Sequence, residues 1–167
     1  MVKPVLFVGA LLAASQAFGE DWQRPDCSAF ESFSECRNAQ NNDYRRQKQK
    51  EFRELGLSFW YFERPDFSDN KEIEQAQEDK VEGALYFSFS VGIDGRVSAV
   101  SLQHKSSDAV EVYAAPILAA IQNWQFVPSD KSWPDLKWSY QFFFDPEACD
   151  EEDGESEACK AEDESDS

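Results

Sequence analysis

The stretch from Ala84 to Val91 restricts the fold more than any other part of this chain. Leu85, Phe87, Phe89 and Val91 alternate there with Tyr86, Ser88 and Ser90. A period of two places the two sets on opposite sides of a pleated strand, so the large apolar set needs a covered face. Gly92-Ile93-Asp94-Gly95 follows, and its Asp-Gly pair predicts a tight hairpin in which Asp94 and Gly95 supply positive φ angles. Arg96 to His104 returns as a second strand. Its apolar residues, Val97, Val100 and Leu102, are spaced by three and then two. That break in alternation predicts a β-bulge near Ala99.

Ser106-Ser107-Asp108 reads as a helix start, with Asp108 and Glu111 as a capping pair. Val110, Ala114, Ile117, Ile121 and Trp124 then recur at helical spacing. Pro116 interrupts them, because inside a helix it removes a hydrogen bond and clashes with the preceding turn. The expectation is a loose turn to Ala115 and a regular helix from Pro116, ended by Phe126 and Pro128. Asp135 to Phe144 predicts a third strand, with Leu136, Trp138, Tyr140, Phe142 and Phe144 on one face and Lys137, Ser139, Gln141 and Phe143 on the other. The fold class that follows is α+β: a three-stranded antiparallel sheet packed by one main helix (β-β-α-β), with an additional N-terminal helical segment.

The N-terminus has Lys3, an apolar run from Val5 to Ala14, and small residues at Ala17 and Gly19. This is the pattern of a signal peptide cleaved before Glu20. The run is shorter than the ~20 residues that span a bilayer as a helix, and an uncleaved inner-membrane anchor is the alternative. Residues 1–19 are therefore expected to be a signal peptide, 20–80 a helical and aromatic extension, 81–145 the main domain and 146–167 an acidic tail. Within the extension, Arg45 to Leu55 holds good helix formers with Gly56 as a stop. Leu57 to Phe62 is a short aromatic run, read as a strand or a surface patch, its aromatics covering one side of the main domain rather than forming a ligand platform. Lys71 to Lys80 is a charged helix or linker.

Export decides how the four cysteines, Cys27, Cys36, Cys149 and Cys159, are read. In an oxidising compartment they imply disulfides. Of three connectivities, local pairing (27 with 36, 149 with 159) is the expectation. Nine residues of continuous helix would separate the Cα atoms of Cys27 and Cys36 by about 13 Å, whereas a disulfide needs them within ~7 Å. A bridge there requires the chain to turn. A zinc site is disfavoured, since there is no CxxC pair and no nearby His.

The net charge is −17. Asp145 to Ser167 contributes −11 of it, from twelve acidic residues and Lys160. Such a balance argues against nucleic acid, which demands clustered Lys and Arg, and against anionic lipid surfaces. The tail lacks the ligand spacing of a calcium loop, and it cannot bury enough apolar surface to order itself. His104 is the only His, so a Ser-His-Asp or Cys-His arrangement would have to use it; beside Lys105 at a strand end it reads as a surface residue. No phosphate loop and no HExxH occurs. No cofactor, no metal and no enzymatic activity are expected.

The run Gly83 to Val91, then Asp94-Gly95-Arg96-Val97, Ser106-Ser107, and Trp124-Gln125-Phe126-Val127-Pro128 resembles the C-terminal domain of TonB-like proteins. That family typically shows an apolar strand, a D-G-x-V turn, a Ser-Ser pair, a helix, a W-x-F-x-P ending and a last aromatic strand. The resemblance covers about 62 of the 167 residues, Gly83 to Phe144. Asp94, Gly95, Val97, Trp124, Phe126 and Pro128 are its structural motif. It implies a module of the Gram-negative periplasm that binds a protein or peptide of the cell envelope by adding a strand to an exposed sheet edge. The expected edge is the third strand: Leu136, Lys137, Trp138, Ser139, Tyr140, Gln141 and Phe142, with backbone for affinity and aromatics for selectivity. Without a long Pro-rich spacer, a soluble relative is expected, and a membrane-anchored energy transducer for outer-membrane transport is the alternative. A small secreted hydrolase or inhibitor is the weakest reading. Edge strands in so small a sheet also invite pairing between copies, so a homodimer is a further expectation.

Overall fold

The computed structural model describes residues 22–146. The signal-peptide, acidic-tail and Cys149–Cys159 expectations fall outside the described residues. Those residues form an α+β fold. Helix α1 (Phe33–Glu54), strand β1 (Phe59–Tyr61) and helix α2 (Lys71–Glu78) are followed by strands β2 (Gly83–Val91) and β3 (Val97–Lys105). A 3-10 turn (Ala109–Tyr113), helix α3 (Ala114–Asn123), strand β4 (Gln125–Phe126) and strand β5 (Trp133–Phe142) complete the chain.

The alternating strand is the middle of the main sheet, which has the antiparallel order β3-β2-β5. Leu85, Phe87 and Phe89 stand opposite Tyr140, Trp138 and Leu136 of β5, so all six point to the same, covered face. Leu85, Phe87 and Phe89 are fully buried. Ile117 and Ile121 of α3, with Val110 and Tyr113 before it, belong to the same core cluster. The expected bulge is present. Ser88 pairs with Ser101 and Ser90 with Ser98, and Ala99 between them takes φ +51°. A second register shift lies between the Tyr86–His104 and Phe87–Leu102 pairs.

Several local expectations are corrected. In the hairpin only Gly95 adopts the left-handed region, at φ +77°. Asp94 instead uses its carboxylate to accept from the Arg96 N–H at 3.1 Å. Glycine at 95 also serves packing: its carbonyl accepts from the Phe126 N–H at 2.8 Å, and a Cβ there would lie 2.0 Å from the Phe126 carbonyl oxygen. Asp108 and Glu111 form no capping pair. Both carboxylates ion-pair with Lys105, and the Ser107 hydroxyl accepts from the Val110 N–H at 3.4 Å. Helix α3 begins at Ala114, so Pro116 is its third residue, where an N–H would have no intrahelical partner. The helix stops at Asn123, because Trp124 turns extended at ψ 145°. Phe126 and Pro128 do not end it; Gln125 and Phe126 pair with β1. Strand β5 ends at Phe142. Phe143 is buried, edge-on to the Phe33 ring at 5.5 Å. The Phe144 N–H donates to the Glu82 carboxylate at 2.7 Å.

Residues 33–81 pack into the same core. Phe52 of α1 meets Phe59, Phe89, Phe126 and Trp138 with ring centroids 5.7 to 6.4 Å apart. The expected helix is longer than Arg45–Leu55, because Ser32 caps it: the Ser32 hydroxyl accepts from the Glu35 N–H at 3.2 Å. Gly56 closes it at φ +84°. Its N–H donates to the Arg53 carbonyl, and that of Leu57 to the Phe52 carbonyl, which is the Schellman arrangement. Cys27 and Cys36 form a disulfide with Cα atoms 5.5 Å apart, and the required turn lies between them, at Cys27–Phe30.

Candidate functional site

A three-stranded sheet has two edges, and here they differ. Edge strand β3 carries the two register shifts and the left-handed Ala99, features that kink a strand and blunt it against pairing. The rest of this edge is polar, with Gln103 and His104 exposed. The His104 ring lies 5.6 Å from that of Tyr86.

Edge strand β5 is regular from Leu136 to Phe142 in its pairing with β2. The outward side of its backbone can be read from one bond. The Ser139 N–H does not reach β2; it donates to the Tyr44 hydroxyl of α1 at 2.7 Å. Backbone direction alternates along an antiparallel strand, so Lys137 and Gln141 present their N–H and C=O groups on the same outward side as Ser139.

Helix α1 lies beside this edge and runs antiparallel to it. Phe33 meets Phe143, Tyr44 meets Trp138 edge-on at 5.4 Å, and the Leu55 carbonyl accepts from the Trp133 indole at 3.1 Å. Twenty-two helical residues and ten strand residues both span about 33 Å. The helix covers the edge while using few contacts. Only Cys36 and Phe52 of its residues are buried, and the rest of its surface is polar.

Between them runs a groove of about 640 Å³, within the size range of ligand-binding clefts. Phe62, Phe67, Trp138, Tyr140 and Phe142 line it with aromatic surface, and Ser139 and Gln141 lie along the strand. Arg37, Arg45 and Arg64 are also in the lining, and none of these three has an ion-pair partner among the described residues. Asp43, the one carboxylate of the lining, ion-pairs with Arg46 at 3.6 Å. The Trp138 indole N–H is buried on the side of the Tyr140 hydroxyl. Burial pushes the Tyr44 phenol up to about 12. It pushes Tyr140 up as well, offset in part by the Trp138 indole. Both hydroxyls are neutral at physiological pH and can donate.

The sequence-predicted edge residues thus divide into two groups. Leu136 and Trp138 are core residues, Tyr140 packs against the core, and Phe142 stacks on Tyr113 at 4.0 Å. Lys137, Ser139 and Gln141 face away from the core. Lys137 ion-pairs with Asp135. The motif residues Trp124 and Phe126 are buried, and the Trp124 indole donates to the Glu63 carbonyl at 2.8 Å. Val97 packs against the core, and Pro128 follows β4. Asp94, Gly95, Trp124 and Phe126 gather at the hairpin end and shape the fold. Sequence reasoning missed Tyr44, Arg37 and Arg45, which lie on the polar helix, and Arg64, which follows the aromatic run.

No protein-family model matches the chain, and no curated protein matches it. Among solved structures, the solution NMR structure of the Pseudomonas aeruginosa TonB C-terminal domain is similar at 19% identity and a TM-score of 0.38. That likeness covers 53% of this chain and 85% of that domain.

Proposed function

We propose that this chain is a protein-interaction module of the cell envelope that takes an extended segment of a partner as an added strand along the outer edge of β5. The observation that carries this reading is the Ser139 N–H. It belongs to a regular edge strand, and a single side-chain hydroxyl answers it where a neighbouring strand would otherwise pair. A partner strand could replace that bond in kind and extend it to Lys137 and Gln141. Two further features support the choice of edge: the bulges on β3, and the attachment of α1 through few points. The sequence resemblance to TonB-like C-terminal domains implies the same mode of recognition.

With Leu136 and Trp138 in the core, side-chain selectivity falls to Lys137, Ser139, Gln141 and the groove lining. The module acts after export, with cleavage near Gly19, so its mature form begins near Glu20; N-terminal sequencing of the envelope fraction checks this. The binding reading is tested with Gln141→Pro. Proline at an outward N–H of an edge strand is tolerated by the sheet but removes one donor to an added strand. Capture of the partner identified by cross-linking should fall at least about fivefold, the worth of one net hydrogen bond, with the melting temperature little changed. Undiminished capture by a folded Gln141→Pro protein would exclude strand addition at β5.

A further inference from the structure

The charged lining of the groove between α1 and β5 is mostly arginine. Arg37, Arg45 and Arg64 supply guanidinium groups without ion-pair partners among the described residues. Three guanidinium groups without carboxylate partners in one cleft point to an occupant that brings acceptors. In a chain of net charge −17, a groove with three arginines and one already paired carboxylate is an electrostatic exception.

We infer that this groove is occupied by the chain's own acidic C-terminal segment, Glu147 to Ser167, whose carboxylates neutralise Arg37, Arg45 and Arg64. Three observations select this occupant. The segment carries eleven acidic residues against Lys160 alone, which complements the groove. Its point of departure is close, because β5 ends at Phe142, and Phe142 and Phe143 both line the groove. Its length suffices: 21 residues reach about 70 Å when extended, about twice the length of β5. Tethering also raises the effective concentration of the segment to the millimolar range, so individually weak ion pairs add to a persistent cover. On the strand-addition reading, the segment competes with a partner for the same edge. Docking itself is measured without any partner, so its failure would leave the Gln141→Pro test intact, and the reverse also holds.

The test uses the full chain. Wild type is compared by NMR with a variant in which Asp150, Glu151, Glu152 and Asp153 are replaced by Asn, Gln, Gln and Asn. Neutralisation should move the Ser139 and Gln141 amides, the Trp138 indole N–H and the Arg45 side-chain resonance. Raising the salt of the wild type from 50 to 500 mM should move the same signals in the same direction, since the Debye length shrinks from ~13 to ~4 Å. Arg45→Gln combined with Arg64→Gln should reproduce the neutralised spectrum in the groove. A peptide of residues 147–167 added to the neutralised chain should restore the wild-type positions, with a Kd weakened about fivefold or more by the higher salt. Groove signals identical in wild type and variant would overturn the inference, as would shifts confined to Arg24 and Lys80 outside the groove. Shifts that grow with protein concentration would assign the groove to a second copy and overturn it equally.

Discussion

Removing one oxygen from Tyr44 tests whether α1 holds the β5 edge through this contact. In Tyr44→Phe the ring keeps its edge-on packing against Trp138 at 5.4 Å, and the Ser139 N–H loses its acceptor at 2.7 Å. A net hydrogen bond is worth about 0.5–1.5 kcal/mol. The freed N–H borders a groove of about 640 Å³ that water can enter, so the loss should sit near the middle of that range, about 1 kcal/mol. At 1.4 kcal/mol per decade, this is roughly a fivefold change in local opening. Native-state amide exchange followed by NMR reads it directly. The Ser139 amide should exchange about fivefold faster, while amides of central β2, Phe87 and Phe89, keep their protection. Unaltered Ser139 protection would refute the claim that Tyr44 covers this edge. Equal loss across β2 would show instead that the hydroxyl supports the whole fold.

Other consequences follow from the packing. Phe52→Ala empties a site ringed by Phe59, Phe89, Phe126 and Trp138; it should cost about 3–5 kcal/mol in chemical denaturation, because α1 is tied into the core at this point. Gly95→Ala should cost about 2–4 kcal/mol, since it combines φ +77° with a Cβ 2.0 Å from the Phe126 carbonyl, forcing that backbone contact apart. Alkaline pH should weaken the fold. The Tyr44 phenol is protonated in both states below its unfolded value of about 10; the unfolded form ionises first, and stability falls until the folded value of about 12 is reached. Between pH 10 and 12, thermal melts of Tyr44→Phe should therefore fall less steeply than those of the wild type.

The main sheet was legible because its pattern is enforced along a whole strand. Leu85, Phe87 and Phe89 must all face one way, and the irregular spacing of Val97, Val100 and Leu102 could only be absorbed by an extra residue at Ala99. The site was less legible, because α1 carries no continuous apolar stripe. Its contacts to β5 and to Phe143 just after it come from Tyr44 and Phe33, eleven residues or about three helical turns apart, with Phe52 beyond them. That spacing is too sparse for a periodicity to register. One signal was available: Ser32-Phe33-Ser34-Glu35 fits the S-x-x-E start of a helix, and it marks where α1 begins. Strands β1 and β4 have three and two residues, too few to alternate, and their pairing is set by Phe59 stacking on Phe126 at 4.3 Å. The arginines of the groove come from α1 and from the segment after β1, so only the tertiary fold assembles them.

The most direct test of recognition at β5 is site-specific photo-crosslinking in the cell envelope from two exposed positions, Gln141 on β5 and Gln103 on β3. The account predicts a discrete adduct from position 141 that disappears when Ser139→Pro is added, and none from position 103. An adduct from position 103 alone, or one from position 141 that persists in a folded Ser139→Pro protein, would contradict it.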